Sequence, residues 1–333
     1  MNLIIDLSKA SLYRTQLMGI AAILIVLCHA SLYGVQMCSV LSTILNIGNI
    51  GVDVFLFFSG MGCYYSLNKP KSGGMLSWYK RRFLRIFIPY TLSQIPFWGF
   101  YIINGNFDFF DSLYEFSTLS FWTRHTGMWY IALLIPLYIL TPSLYYLFER
   151  TKYRLLLGFI LIMLVLLLCS INIRVDNASY NNIIDNLQWA FRRTASFILG
   201  IAISPAIKKG MKINGMGVII CSVITLLVLK YCGLSHNWCL FPIIIVLSIV
   251  FLDNLSIDNL LNHFLCMIGM ISLESYLYNG YVRYMFMDSS IYTCNSPVFL
   301  GHYLDYILIF ILGTILAYIT NKFSNKILNL LKS

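Results

Sequence analysis

Charge is what this chain has least of. Only 11% of its 333 residues are charged, and the carboxylates are the scarcer kind, 13 Asp and Glu against 23 Lys and Arg. A soluble globular domain carries roughly 25% charge. With 59% of residues apolar, a soluble enzyme has no way to hide the surface. Metal-ligand spacing is missing too. The nine cysteines form no C-x-x-C pair, and Cys28, Cys63, Cys169, Cys221 and Cys266 lie inside apolar stretches, where cysteine packs as a small hydrophobe. Cys232 and Cys239 flank a short loop and would pair only if it faced an oxidising compartment. No metal is expected. An internal repeat, a low-complexity run and an interdomain linker are all absent, so residues 1–333 read as one membrane domain. The net charge of +10 does not call for nucleic acid, because the basic residues sit at the ends of apolar spans, where topology accounts for them.

What is there is a series of apolar stretches of bilayer length, ~17–25 residues. The sequence predicts an all-α polytopic membrane protein with about ten spans, near 16–34, 46–67, 83–103, 127–148, 155–171, 187–207, 215–232, 236–252, 264–284 and 303–321. The segments between them carry the loop signals, such as Lys69 to Gly74 and the Asn-rich stretch 172–186. With the N-terminus inside, 17 of the 23 Lys and Arg fall in inner segments. The other six are Arg124, Arg174, Arg192, Arg193, Lys230 and Arg283. Both termini are therefore expected to be cytoplasmic. Lys9 and Arg14 before an apolar run resemble a signal peptide, but no A-x-A-like cleavage site follows, and the run is read as a retained span. Residues 1–13 are expected to form a short helix in the membrane interface.

Ionisable groups inside spans are costly and mark candidate function. His29 lies near the outer end of the first span, either as a neutral imidazole bonded to backbone or as a general base working near neutrality. Asp53, in Gly51-Val52-Asp53-Val54-Phe55, must be paired, hydrogen-bonded or protonated. The hairpin of spans one and two brings it within one helical turn of His29 in depth, so two readings stand. Asp53 orients His29, or it is a packing carboxylate paired with an arginine. In Lys80-Arg81-Arg82-Phe83-Leu84-Arg85, topology explains part of the charge. Arg82 and Arg85 nevertheless share a helical face, and a guanidinium pair at a membrane edge suits the phosphates of a nucleotide-like ligand. Arg192 and Arg193 sit one to two turns inside span six. Adjacent residues face different ways, so at least one should meet a polar cavity. Glu274 is expected as an inner-side partner for a basic residue.

Four stretches together resemble the membrane-bound acyltransferase-3 family. They are Leu17 to Ala30, ending in Cys28-His29; Gly48 to Gly60, similar to the block G-V-D-x-F-F-x-x-S-G; Tyr79 to Pro89, similar to R-R-x-x-R-I-x-P; and Met128-Trp129-Tyr130-Ile131 through Tyr138 and Pro142. The resemblance covers nearly the whole chain. It departs at two places. Met18 stands where members often have arginine, with Arg14 one helical turn earlier on the same face. Leu134 stands where many have glutamate. No fused hydrolase-like domain is expected. The resemblance implies about ten helices around a polar cavity, with acetyl-CoA entering from the cytoplasm of a bacterial cell. The acceptor would be a hydroxyl of a cell-surface glycan or its lipid-linked precursor. It implies His29 as general base with Asp53 supporting it, Arg82, Arg85 and Arg81 on the CoA phosphates, and Trp129 and Tyr130 lining the cavity; Ser59, by composition, and Arg192 and Arg193, by their place in span six, are also expected around the substrate. A proton-coupled carrier or flippase is the rival class, since intramembrane His, Asp and Arg suit it too. Matching broken helices in two repeats would favour that rival. A protein that only binds acyl-CoA or lipid is the second rival.

Overall fold

The computed structural model describes residues 3–30, 35, 38–69, 73–103, 108–256, 258–288 and 302–331. The expected end of the first span and most of the 285–302 loop fall outside them. Of the described residues, 83% are helical. It runs β1 (Ile4–Asp6), α1 (Ser8–Leu12), α2 (Arg14–His29), α3 (Ser39–Asn46), a 3-10 turn (Ile47–Ile50), α4 (Gly51–Leu67), α5 (Gly74–Ile103), α6 (Phe109–Phe116) and α7 (Leu119–Arg124). There follow α8 (Trp129–Glu149), α9 (Arg154–Leu168), α10 (Ala178–Phe191), α11 (Thr194–Lys208), β2 (Lys212–Asn214) and α12 (Gly215–Tyr231). A second 3-10 turn (Asn237–Leu240), α13 (Phe241–Asp253), α14 (Leu260–Met270), α15 (Ser272–Asp288) and α16 (His302–Leu330) complete it.

Among the described residues, three stretches are long and apolar enough to cross a membrane: Ser39–Leu67, Trp129–Glu149 and Leu304–Leu330. A fourth is the pair Leu260–Met270 and Ser272–Val282, if the two, bent by 73° at their junction, count as one. Four shorter apolar helical stretches, Arg14–His29, Arg154–Leu168, Gly215–Tyr231 and Asn237–Asp253, fall on other expected spans. The expected span 187–207 is two helices, because α10 ends at Phe191 and α11 starts at Thr194. The N-terminal expectation also changes. Ile4–Asp6 is a strand, antiparallel to Lys212–Asn214 with Ile5 opposite Ile213. The Asp6 carboxylate accepts from Ser8 N (2.8 Å) and Ser8 Oγ (2.6 Å), starting α1, and these bonds hold its carboxyl below the usual carboxylate range. Cys232 and Cys239 are free thiols.

Between apolar helices in lipid there is little hydrophobic drive, so close backbone approach has to supply the attraction. Two reciprocal glycine contacts do this. A side chain on Gly60 of α4 would strike the Phe197 carbonyl of α11, and one on Gly200 of α11 would strike the Phe57 carbonyl of α4. The pair Gly19 of α2 and Gly269 of α14 repeats the device against the Leu265 and Thr15 carbonyls. Gly48 and Gly51 bring the start of α4 onto α2 at Leu24 and Ala21. The result is a bundle in which α2, α4 and α11 are locked side by side, with Leu56, Phe58, Ile131, Leu133 and Phe197 buried in its core.

These contacts set a stability test. Gly200→Val should force α4 and α11 apart and lower stability by about 1–3 kcal/mol or more, read as a drop in Tm of the purified protein. Gly99→Ala, where an added Cβ meets nothing within 4 Å, should leave Tm unchanged or slightly raised.

Candidate functional site

At the C-terminal end of α2, His29 is half-buried, and its Nδ1 lies 2.9 Å from Oδ1 of buried Asn279 on α15. An amide oxygen accepts, so this bond puts the ring proton on Nδ1 and makes Nε2 the basic nitrogen. The bend before α15 makes the contact. Restarting at Ser272, the helix turns Ser272, Ser275, Tyr276 and Asn279 toward Ala22, Val26 and Phe55. The spacing of Ser272, Ser275 and Asn279 is that of one helical face, a signal the sequence offered and its reading passed over.

Asp53 goes elsewhere. It is fully buried; its Oδ2 accepts from Arg193 Nη1 at 2.6 Å and its Oδ1 from Ser196 Oγ at 2.9 Å. Of the two readings of Asp53, the structure shows the packing one, a carboxylate paired with an arginine, and not the contact with His29. The reason is local. The Gly60/Gly200 contact holds α11 against α4, and the break between α10 and α11 frees Arg193 to reach across, while His29 turns toward α15. Arg192 faces away, donating from Nη2 to the Cys169 carbonyl at 2.9 Å. Arg193 also borders a polar pocket of about 190 Å³ with Thr43, Asn46, Asn49 and Asn237.

The other end of α2 carries Arg14. Arg82 of α5 donates to the Gly62 carbonyl, and a Cβ on Gly62 would lie 3.4 Å from Arg14 Nη2 and 3.7 Å from Arg82 Nη1. Two guanidinium groups therefore meet over one glycine, with Arg85 within the same field. Arg14 is exposed. The five ion pairs among the described residues are all elsewhere, so no carboxylate there balances Arg14, Arg82 or Arg85. Arg81 is exposed and donates to Ser77 Oγ on its own helix. Arg14 is the cation beside Arg82.

Between the two ends runs a line of hydroxyls. Ser59 Oγ lies 3.4 Å from Tyr130 OH and also reaches Tyr138, whose surroundings include Arg82 and Arg14. The Tyr130 ring meets Tyr276 edge-on at 5.4 Å, and Tyr276 is one turn from Asn279. Trp129 turns outward instead, against Trp189 at 4.8 Å, in an aromatic cluster with Phe121 and His125. Glu274 bonds Asn321 at 3.0 Å, away from the arginines. Tyr276 and Tyr138 are members of the line that composition could not assign, since buried tyrosines are common in apolar helices.

A family model described as an acyltransferase domain matches residues 16–322. No curated protein and no solved structure matches the chain.

The Asp53–Arg193 pair can be tested apart from any reaction. Asp53→Ala should strand a buried guanidinium and cost about 3–5 kcal/mol, seen as a large fall in Tm. Asp53→Leu combined with Arg193→Met should recover most of that loss, giving strong non-additivity in a double-mutant cycle. Additive losses would show that the two residues do not act as a pair.

Proposed function

The chain belongs to this acyltransferase family, and from that premise we propose that it transfers an acetyl group from cytoplasmic acetyl-CoA to a hydroxyl of a cell-surface glycan or its lipid-linked precursor. The carrying observation is the unbalanced cluster of Arg14, Arg82 and Arg85. Like charges held together among apolar helices call for an anion, and guanidinium groups bind phosphate oxygens in paired hydrogen bonds. In this reading ten spans leave both termini and the arginine end facing the cytoplasm of a bacterial membrane, where acetyl-CoA is held by its phosphates. Arg81, at the exposed edge, adds to the attractive field.

The line from Tyr138 through Ser59 and Tyr130 to Tyr276 is the route for the pantetheine arm. Arg14 and His29 lie fifteen residues apart on one helix, about 22 Å at ~1.5 Å per residue. The donor therefore reaches across much of the bundle. At the far end His29 Nε2 takes the proton of the acceptor hydroxyl as its oxygen attacks the thioester carbonyl carbon. The C–S bond breaks, the sulfur leaves as the CoA thiolate and takes up a proton, and the acetyl ester remains on the acceptor. Asn279 holds the imidazole in the tautomer this requires. Asp53 acts at one remove, fixing Arg193 beside the pocket of Asn46, Asn49 and Asn237, which contributes to acceptor recognition. Trp129 stands with the aromatic cluster at the entrance.

A carrier is the weaker reading. The broken pair α14–α15 has no counterpart in the first half among the described residues, whereas paired breaks are the mark of repeat-built carriers.

The test supplies membranes containing the protein with acetyl-labelled acetyl-CoA and follows label into alkali-labile esters. Wild type should label surface glycans, and His29→Ala at matched expression should abolish labelling. Arg14→Ala and Arg82→Ala should each raise KM for acetyl-CoA at least about tenfold, the value of a charge-assisted hydrogen bond, with kcat less affected. Equal labelling by wild type and His29→Ala would remove His29 from the chemistry.

A further inference from the structure

On the far side of α11 from the site just described lies a second, chemically different space. It is a half-open groove of about 630 Å³ bordered mainly by α9, α11, α12 and α13, lined by side chains such as Phe159, Ile203, Ile245 and Val246. No charged residue lines it. Along α12 its wall runs from Gly217 to Leu229, twelve residues or about 18 Å, more than half of a hydrocarbon core of ~30 Å. A second space of about 460 Å³ adjoins it, sharing Leu155 and Ile203 as walls, and this one is basic: Lys152, Arg154 and Lys209 line it without any carboxylate. Arg154 is partly neutralised by Glu149 at 2.8 Å. Lys152 and Lys209 have no acidic partner among the described residues. None of His29, Ser59, Tyr130, Arg14 and Arg82 lines either space.

We infer that these adjoining spaces are a binding site for one anionic phospholipid, its phosphate at Lys152 and Lys209 and an acyl chain in the apolar groove. The argument is complementarity at both ends of one molecule. An uncharged groove of this length takes a hydrocarbon chain, and a cationic mouth lacking carboxylates selects a net negative headgroup. Lipid packed merely around the bundle would show the first property without the second. The site is separate from the acyl-transfer reading and does not depend on it.

The experiment is native mass spectrometry of the full-length protein, purified in detergent and stripped of lipid. It is titrated with dioleoylphosphatidylglycerol, dioleoylphosphatidylcholine and short-chain dihexanoylphosphatidylglycerol. One dioleoylphosphatidylglycerol should bind per chain, about twenty-five-fold tighter than dioleoylphosphatidylcholine, from about a factor of five for each of the two lysines. Lys152→Ser with Lys209→Ser, both exposed positions, should erase that preference while size-exclusion behaviour stays unchanged. Ser222→Trp, placing a ring in the groove, should weaken both dioleoyl lipids. Equal affinity for the two headgroups in the wild type, or a preference that survives the double lysine variant, would overturn the proposal and leave an adventitious lipid only. Binding of the dihexanoyl lipid as tight as the dioleoyl one would overturn it as well, since the groove would then take no part.

Discussion

A charge among apolar helices must be neutralised close by, and with 13 carboxylates to 23 Lys and Arg this chain lacks the means to do so everywhere. That shortage organises the molecule. Asp53, Arg193 and Ser196 solve the problem internally and in doing so tie α4 to the first turn of α11. Arg14, Arg82 and Arg85 do not solve it, because no carboxylate among the described residues pairs with them. Asp53 is fully buried and would be expensive to leave unpaired, whereas Arg14 and Arg85 are exposed and Arg82 half-buried, so their charge persists in contact with water until an anion arrives. The contrast therefore separates a scaffold element from a place built to receive an anion.

The pairing works only because the helices come very close. Arg193 reaches Asp53 across the α4–α11 seam, and that seam exists because Gly60 and Gly200 let each backbone touch the other's carbonyls. The seam at Gly19 and Gly269 does the same for α2 and α14. With α14 held against α2, the 73° bend that follows turns α15 so that Asn279 meets His29. Small residues thus fix the distances that the polar residues need. The proposed chemistry sits on a scaffold whose precision comes from glycine.

Much of this was legible in the sequence. An all-α membrane chain, the helices at the expected segments, and the interest of His29 and Arg82 follow from apolar runs broken by isolated charge. Helix rotation was not legible, and it decides partners. Comparing depth brought Asp53 and His29 level, yet they point to α11 and α15. Arg14 was recognised only as a stand-in for a missing family arginine, because one helix gives no view of α5 across Gly62. The break at Arg192 and Arg193 was hidden for another reason. Residues 187–207 are apolar enough to read as one span, and only packing shows that α11 starts afresh at Thr194. The strand Ile4–Asp6 depends on a partner more than two hundred residues away, which local periodicity cannot register.

One helix connects these arguments. α2 carries Arg14 at its start and His29 at its end, and every neighbour that matters to either touches α2 or the helix next to it. In the proposed reaction the donor's anionic end and its reacting carbon are held by groups on a single rigid rod, so their separation does not depend on loop conformation. A carrier would need that rod to rock, exposing first one end and then the other. Here α2 is clamped by Gly48 and Gly51 on one side and by Gly269 on the other, each against its own backbone or that of its partner, and packed interfaces of this kind yield by discrete steps rather than by smooth deformation. A reaction that spans the membrane with fixed groups asks for no such step, and the arrangement of α2 fits that demand better than it fits alternating access.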